Sequence, residues 1–423
     1  MATGARGPKT IVIGGGVGGL ILAQGLHAAG LPVEVHERDA SPRTRTQGYR
    51  LRVSPDGERA MRECLPPRVI ELLLATSNQR HGEGLLAFDE QLAPQWAPAF
   101  DDPRGSGPDK IDAVDRVTLR RVLLAGLDDV VRFGRKLTEV VETTGGVTAR
   151  FSDGSSATGD VLVAADGANS AVRTQLCPHE QPADLGVRTV FARLPMTAVH
   201  QAGLPAQLRG EFSYVIGSDG HHLGLMPMVF REAPPAAAAR LWPGLDLPPG
   251  EDYYMAVLNV HRDELGLSDD EFFAMDGRAL ARFATSRMSA WHPALRGLFA
   301  LGDAADTFAV SLRASVPVVP WGTERVVALG DAAHTMPPSG GVGANSAAWD
   351  AALLTGLLRQ VADGDISLAD AFDRYRTGVT EHATAAVGLS LKIAQWSIRK
   401  IDIAMPAAEP GKNSANSAPA PLH

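Results

Sequence analysis

The stretch Thr10-Ile11-Val12-Ile13-Gly14-Gly15-Gly16-Val17-Gly18-Gly19-Leu20 constrains this chain more than any other. A β-branched run meets Gly14-x-Gly16-x-x-Gly19, and a helical pattern follows at Leu20, Ala23, Leu26 and His27 before Gly30 closes it. The next strand, Pro32 to His36, delivers Glu37 at its C-terminal end. Gly14 allows the tight turn, Gly16 lets a pyrophosphate approach the backbone, and Gly19 lets helix and strand pack closely. The helix N-terminus supplies free N–H donors and positive dipole for phosphate. Glu37 stands at the spacing from which an acid accepts ribose hydroxyls. A glycine pattern alone is weak, but between a strand and a helix, with that acid behind it, it reads as a dinucleotide site.

A chain of 423 residues exceeds one ordinary core. Its net charge of −8 and the lack of any Lys/Arg cluster argue against general nucleic-acid binding. Cys64 and Cys177 have no paired spacing, which excludes a disulfide framework and a zinc signature, and no metal site is expected. No apolar run reaches the ~20 residues of a spanning helix. The short polar start leaves no room for a signal peptide, so the expectation is a cytoplasmic protein without membrane contact, monomeric or homodimeric.

Behind Glu37 a basic loop carries Arg38, Arg43 and Arg45, and a strand Tyr49 to Val53 carries Arg50. These arginines suit phosphate, and equally suit a solvated loop. Helices are expected from Pro55 through Cys64 and from Val69 to Ser77, then a short strand at Leu85 to Phe88. Asp115 reads as a helix N-cap, with Arg116 in the first turn facing back toward the nucleotide and Leu119, Val122 and Leu123 forming the apolar face. Residues 130–166 read as strands with Gly hairpin turns at Gly145-Gly146 and Asp153-Gly154. They end in the apolar strand Asp160 to Ala165, which stops at Asp166-Gly167.

From about 180 to 290 the texture changes. Strands are expected at 189–194, 211–216, 222–230 and 253–260, with an exposed Pro/Ala loop at 233–249 and one helix from Asp269 to Met288. This is an α+β unit around an antiparallel sheet, inserted into the nucleotide-binding domain.

A second chemical centre follows. The apolar strand at Arg325 to Leu329 ends at Gly330-Asp331, and Pro337-Pro338-Ser339-Gly340-Gly341-Val342-Gly343-Ala344-Asn345 then opens a helix with a 3.6 period. An acid at a strand end can bond sugar hydroxyls, and the helix aims free N–H groups and positive dipole beyond the turn. His334 reads as a capping or packing histidine. Leu301-Gly302-Asp303-Ala304-Ala305 repeats the same letters without a Pro-Gly turn or a helix behind it, so no cofactor role is assigned to Asp303. The chain closes with a long helix from Leu368 to about Ile403 and a tail from Pro406 whose composition reads as disordered.

Three motifs in this order resemble the FAD-dependent aromatic hydroxylases, the single-component (group A) flavin monooxygenases. Gly14, Gly16 and Gly19 with Glu37-Arg38 look like the ADP fingerprint of that family. Asp166-Gly167 with Arg173 looks like its Asp-Gly motif, and Gly330-Asp331 through Asn345 looks like its flavin turn. Arg116 falls where the family places an FAD-contacting arginine. A weaker similarity, over Gly48 to Val53 and the Met336-Pro337-Pro338 turn, points to the branch that oxidises tetracycline-like polycycles and tailors polyketides. Val342 stands where many members have Gln, and Trp349 where they often have an acid.

The resemblance implies an α/β architecture: a Rossmann-like FAD-binding domain, an inserted antiparallel-sheet substrate domain and a long C-terminal helix. The boundaries expected are 1–65, 108–178 and 291–365 for the FAD-binding domain and 66–107 with 179–290 for the substrate domain. The helix takes 366–405 and the tail 406–423. FAD would be held by Gly14, Gly16, Gly19, Glu37, Arg38, Arg116, Asp166, Gly167, Gly330, Asp331, Pro338, Gly341, Val342, Gly343 and Asn345. NADPH or NADH would serve as a transient reductant, since the chain has one nucleotide fingerprint. O2 would add at the flavin C4a position, and an aromatic or polyketide-like polycycle would be hydroxylated or epoxidised. The alternative is a dehydrogenase or cyclase of the same fold that inserts no oxygen.

No catalytic side chain is required by that chemistry. The pocket is expected between the flavin edge and the inserted sheet, with Phe212, Tyr214, Leu225, Met226, Met228 and the strand Ser311 to Pro317 as candidate walls. Strand alternation makes about half of them wall and half core. Arg313, Pro337 and Met226 are the candidate substrate-side residues, and Arg313 favours an acidic substrate if it faces the cavity.

Overall fold

The computed structural model describes residues 7–44, 49–79, 84–98, 109–210, 212–398, 400, 401 and 403. Arg45, Gly48 and the tail from Pro406 lie outside them. A five-stranded sheet, wholly parallel, forms the first layer. Its spatial order is Val326–Ala328, Val161–Ala164, Thr10–Ile13, Val33–His36, Val131–Arg132. Parallel strands are buried on both faces, which is why these segments read as continuous apolar runs. Val12 and Val163 face the helices Val17–Ala28, Pro55–Cys64, Arg116–Leu123 and Gly343–Asp363. Ile11, Ile13, Leu162 and Ala164 face a three-stranded sheet of Leu137–Thr143, Gly146–Phe151 and Ser156–Gly159. Each fully buried aliphatic side chain, such as Leu20 or Val12, contributes about 1.5–3 kcal/mol.

A seven-stranded sheet makes the second layer, in the order Phe308–Ala314, Ala183–Pro195, Tyr253–His261, His222–Met228, Phe212–Ile216, Leu85–Asp89, Pro94–Gln95. All pairs are antiparallel except Phe212–Ile216 with Leu85–Asp89, which run parallel. Alternation divides its faces. Leu223, Leu225, Tyr254, Ala256 and Leu258 pack outward against short helices. Tyr214, Met226, Met228, Tyr253 and Val257 face the other way, toward the first layer. The helix Pro67–Ala75 puts Val69, Leu72 and Leu73 into the first core, whereas Leu295, Leu298 and Phe299 join the outer face of the second sheet.

Several segments differ from the sequence expectation; the last helix, expected to about Ile403, ends at Ser397, where Ile398 is extended. The stretch read as an exposed Pro/Ala loop contains a helix, Pro234–Leu241, with prolines in its first turn. Proline is compatible with that turn, the alanines behind it are strong helix formers, and Ala237 and Ala238 are buried. The single helix expected over Asp269–Met288 is two, Asp269–Phe273 and Gly277–Arg287. The Asp276 carboxylate caps the second by accepting the Ala279 N–H at 2.7 Å, which starts a new N-terminus in mid-pattern.

A 30-residue helix, Leu368–Ser397, ties the layers together. At ~1.5 Å per residue it is about 45 Å long. Ala371, Phe372, Tyr375 and Val379 lie in the first core, while Val387, Leu391 and Ile393 reach the second layer. Among the described residues no helix is long and apolar enough to cross a membrane.

Candidate functional site

The first glycine turn is built as its spacing demands. Gly14 has φ +111°, and a Cβ there would lie 2.3 Å from the Ala165 carbonyl oxygen. A Cβ on Gly19 would lie 2.2 Å from the Gly14 carbonyl oxygen, so a side chain at Gly14 would push the two strand ends apart and one at Gly19 would push the helix off the strand. Gly16 is different: a Cβ there would meet nothing within 4 Å. Open space over the N-cap of a 12-residue helix is what an approaching pyrophosphate requires.

Glu37 is buried beneath this turn. Its two carboxylate oxygens accept the N–H groups of Gly15 at 2.7 Å and Asp39 at 2.8 Å, so it braces the turn, with lone pairs left over for a sugar hydroxyl. Arg38 points to solvent. A residue that sequence reasoning missed sits opposite. Arg120 is buried, donates from Nε to the Gly15 carbonyl at 2.9 Å and pairs with Asp39 at 3.0 Å. It lies one helical turn beyond Arg116, which is the signal that could have found it.

The two acid-bearing turns meet at the ends of neighbouring strands. Asp166 Oδ2 accepts the N–H groups of Ala171 at 2.7 Å and Val172 at 3.3 Å, while Oδ1 is buried without a partner. Desolvation raises its carboxyl above the ordinary carboxylate range, partly opposed by those hydrogen bonds. Gly167 follows at φ +83° with open space where a Cβ would be. Arg173 donates to the carbonyls of Ala332, at 2.9 Å, and Ala168, which fastens the Asp-Gly turn to the Gly-Asp turn.

Gly330 has φ +62°, ψ −140°, a conformation that only glycine adopts without strain. Asp331 is accessible to solvent, yet surrounding protein desolvates its carboxyl and raises it, against the opposing charges of His334, Arg116 and Arg173. Behind Asp331, Asp350 is fully buried and its Oδ2 accepts the Gly330 N–H at 2.8 Å and binds His334 Nε2 at 2.7 Å. Burial alone would lower the His334 pKa; the Asp350 carboxylate outweighs it and holds the imidazole above its usual value. Asp350 was the second residue not recognised from sequence. The only signal is an acid on the buried face of the helix Gly343–Asp363.

The flavin turn itself is a pair of left-handed glycines, Gly340 at φ +78° and Gly341 at φ +64°, with Val342 as N-cap of that 21-residue helix and Gly343 as its first residue. Pro338 is exposed beside it, and Pro337 is buried with its carbonyl accepting the Ser390 hydroxyl at 2.6 Å. Asn345 does not offer its side chain outward. Its amide accepts the Ser54 N–H at 2.9 Å and donates to the carbonyls of Arg52 at 3.0 Å and Gly341 at 2.7 Å. Its role is to tie the strand Arg50–Arg52 to the flavin turn.

Of the expected walls, Tyr214, Met226 and Met228 face the first layer, Phe212 packs beside them, and Leu225 belongs to the opposite face. Leu312 and Ala314 pack instead with Val387 and Leu391 of the long helix. Arg313 stands apart from the Met226 cluster and donates to Asn169 Oδ1 at 2.9 Å. That contact places Arg313 beside the Asp-Gly turn rather than within the Met226 cluster.

The donors and acceptors fit a flavin dinucleotide. Open Gly16, a buried unpartnered Asp166 oxygen, an accessible acid at Asp331 and a glycine-rich helix start converge at the C-terminal ends of a parallel sheet, where such folds bind ligands. They define an FAD-binding flavoprotein. The model of the FAD binding domain family matches residues 8–227 and 290–390, and the chain belongs to that family. Proteins named as FAD-dependent monooxygenases are among its relatives. It is 33% identical over 377 residues to the dual O-methyltransferase/FAD-dependent monooxygenase elcB of Phaeosphaeria nodorum, covering 81% of this chain and 39% of that protein. The chain thus spans about two fifths of the length of that relative. It is 30% identical over 362 residues to the FAD-dependent urate hydroxylase of Klebsiella pneumoniae, covering 84% of this chain and 82% of that one. The crystal structure of a candidate FAD-containing monooxygenase from Photorhabdus luminescens superposes with a TM-score of 0.78 at 27% identity, over 94% of this chain and all of that one.

Proposed function

We propose that this protein uses NADPH or NADH and O2 to hydroxylate or epoxidise an aromatic, polyketide-like ring system held between the flavin turn and the seven-stranded sheet. The observation that carries the substrate class is the sheet face opposite the turn. Phe191, Tyr214, Met226, Met255 and Val257 form an apolar, aromatic cluster, with Arg193 farther along the same face stacked over Tyr253. Such a surface accepts a bulky neutral ring system and leaves a small carboxylate without a counter-ion. The monooxygenase part of the elcB-type relatives and the ring substrate named for the urate hydroxylase support the same class.

FAD, when bound, supplies the redox and oxygen chemistry. The residues divide the remaining tasks. The Gly14–Gly19 turn and its helix hold the pyrophosphate, and Glu37 the adenosine ribose. Asp331 takes the ribityl hydroxyls, with Arg116, Asp166 and Gly167 beside it. Val342 and Gly343 would present backbone N–H groups to the ring edge, while the Gly341 N–H is held by the Pro338 carbonyl at 3.0 Å and shapes the turn. The long helix and the sheet exclude water from the space between them. The test is NAD(P)H oxidation by the purified yellow protein against a panel of ring compounds. Polycyclic phenols stimulate it more than small benzoates, and Met226→Trp, which fills the face, removes that stimulation. A preference for benzoates overturns the assignment.

A further inference from the structure

A connected series of aromatic rings runs from the inner face of the seven-stranded sheet to open solvent. Tyr214 is buried, and its ring meets Phe212 with centroids 4.8 Å apart and Trp396 with centroids 5.8 Å apart. Trp396, half-buried near the end of the long helix, meets Trp96 edge to face at 6.0 Å and 86°. Trp96 is 73% exposed, more than any other large hydrophobic side chain among the described residues. It follows the short edge strand Pro94–Gln95, and Ala97 behind it packs into the cluster of Tyr214, Met226 and Val257. The two indoles therefore span the gap between the sheet edge and the long helix. On that helix Ile393, one turn before Trp396, packs toward the flavin turn, where a Cβ on Gly340 would lie 2.6 Å from its Cδ1. Leu389, one turn earlier again, is also exposed.

A lone exposed apolar side chain is ordinary and calls for no explanation. Trp96 differs because it is the outer end of a series whose inner end lies in the proposed substrate space. A T-shaped pair engages one edge and one face, and at its exposure Trp96 keeps an open face on which a flat ring can lie offset-stacked. Continuity with the substrate cluster names the occupant. A small polar molecule gains little from such a surface. A planar ring system can exchange one ring contact for the next, at spacings of 4.8 to 6.0 Å, without returning to water between them. We propose that Trp96 and Trp396 form an encounter site, which captures flat substrates of two or more fused rings before they enter the space against Tyr214 and Met226. The proposal rests on the substrate space given above and adds the way into it. Entry and exit share one route, so a contact that eases one eases the other equally. Trp96 therefore sets how fast the ring enters and leaves, and not how tightly it is held once inside.

The experiment follows 1-naphthol binding to the FAD-bound protein by stopped flow, reading the flavin absorbance change, with an equilibrium titration alongside. Trp96→Ala slows association and dissociation by the same factor, about threefold to tenfold, and leaves the dissociation constant unchanged. FAD content and melting temperature of this variant stay at the wild-type level, because the side chain removed is an exposed one. Trp96→Phe, which keeps a ring at the encounter site, recovers most of the lost rate. Unchanged rates in Trp96→Ala overturn the proposal. Faster rates in both directions overturn it too, since Trp96 would then obstruct the route instead of capturing the ring. A weaker equilibrium affinity with an unchanged association rate puts Trp96 inside the binding space and contradicts the encounter role. If wild type binds no 1-naphthol, the substrate space is wrong and the proposal falls with it.

Discussion

At Gly302-Asp303 the chain is extended, with Gly302 at φ −80°, ψ 156°, and the Asp303 carboxylate turns back to accept the Ala305 N–H at 2.9 Å. At Gly330-Asp331, inside the same letters Leu-Gly-Asp-Ala-Ala, the glycine has positive φ and is itself the cap, with Asp331 as the first residue of the short helix Asp331–His334. The difference is imposed from outside the string. A buried Asp350, on the helix that follows the flavin turn, takes the Gly330 N–H and so directs Asp331 outward. Near Asp303 the chain instead runs into the strand Phe308–Ala314. An acid at a glycine turn becomes a ligand-holding group only when something else satisfies the turn.

The largest effect expected from breaking this contrast comes from Asp350→Ala. It strips both the Gly330 N–H and the His334 imidazole of their partner in a fully buried place, and should lower the unfolding free energy by about 3–5 kcal/mol. Chemical denaturation of the FAD-free protein measures it; a loss below 1 kcal/mol, by the rough scale for surface sites, would mean Asp350 is dispensable. Asp331→Ala comes next. Losing a charged acceptor for sugar hydroxyls should weaken FAD by about 1.5–3 kcal/mol, one to two decades in dissociation constant, with little change in stability.

A smaller, pH-dependent effect belongs to His334. Its pKa is raised in the folded state, so its contribution to stability is present below the ordinary value of 6.5 and disappears as pH climbs through the folded value. The stability gap between wild type and His334→Gln should therefore shrink as the pH rises above the ordinary imidazole value of 6.5 and through the raised folded value. A gap that widens with pH would contradict a protonated partner for Asp350. The smallest effect is that of Asp303→Ala, an exposed turn acid, with stability altered by no more than about 0.5 kcal/mol and FAD affinity unchanged. Weak FAD binding by this variant and normal binding by Asp331→Ala would reverse the two assignments.

Much of the nucleotide site was legible because its requirements fall on the backbone. A glycine at φ +111° against a carbonyl, and an acid at the end of the second strand, leave few residue choices, and the letters report them directly. Arg120 and Asp350 were not legible in the same way. Their partners, Gly15 and Gly330, are far away in sequence, and periodicity says that a position is buried without saying what it meets. The inserted sheet lies between these cases. Alternation separated Tyr214 and Met226 from Leu225 in principle, yet only the tertiary packing shows which set faces the flavin turn. Misreading Pro234–Leu241 as a loop, and Asp269 to Met288 as one helix, has a common cause. Proline and aspartate break a helix in its interior and begin one at its N-terminus, so the same residue carries opposite meanings until the boundary is known.

The central claim is that this flavoprotein inserts oxygen into a ring substrate. The most direct test is the mass of the product formed with NADPH or NADH under 18O2, using whichever polycyclic phenol most stimulates nicotinamide oxidation. One heavy oxygen atom per product molecule is the predicted result. A product of changed structure carrying no label would contradict the claim and mark the chain as a dehydrogenase or cyclase built on the same fold.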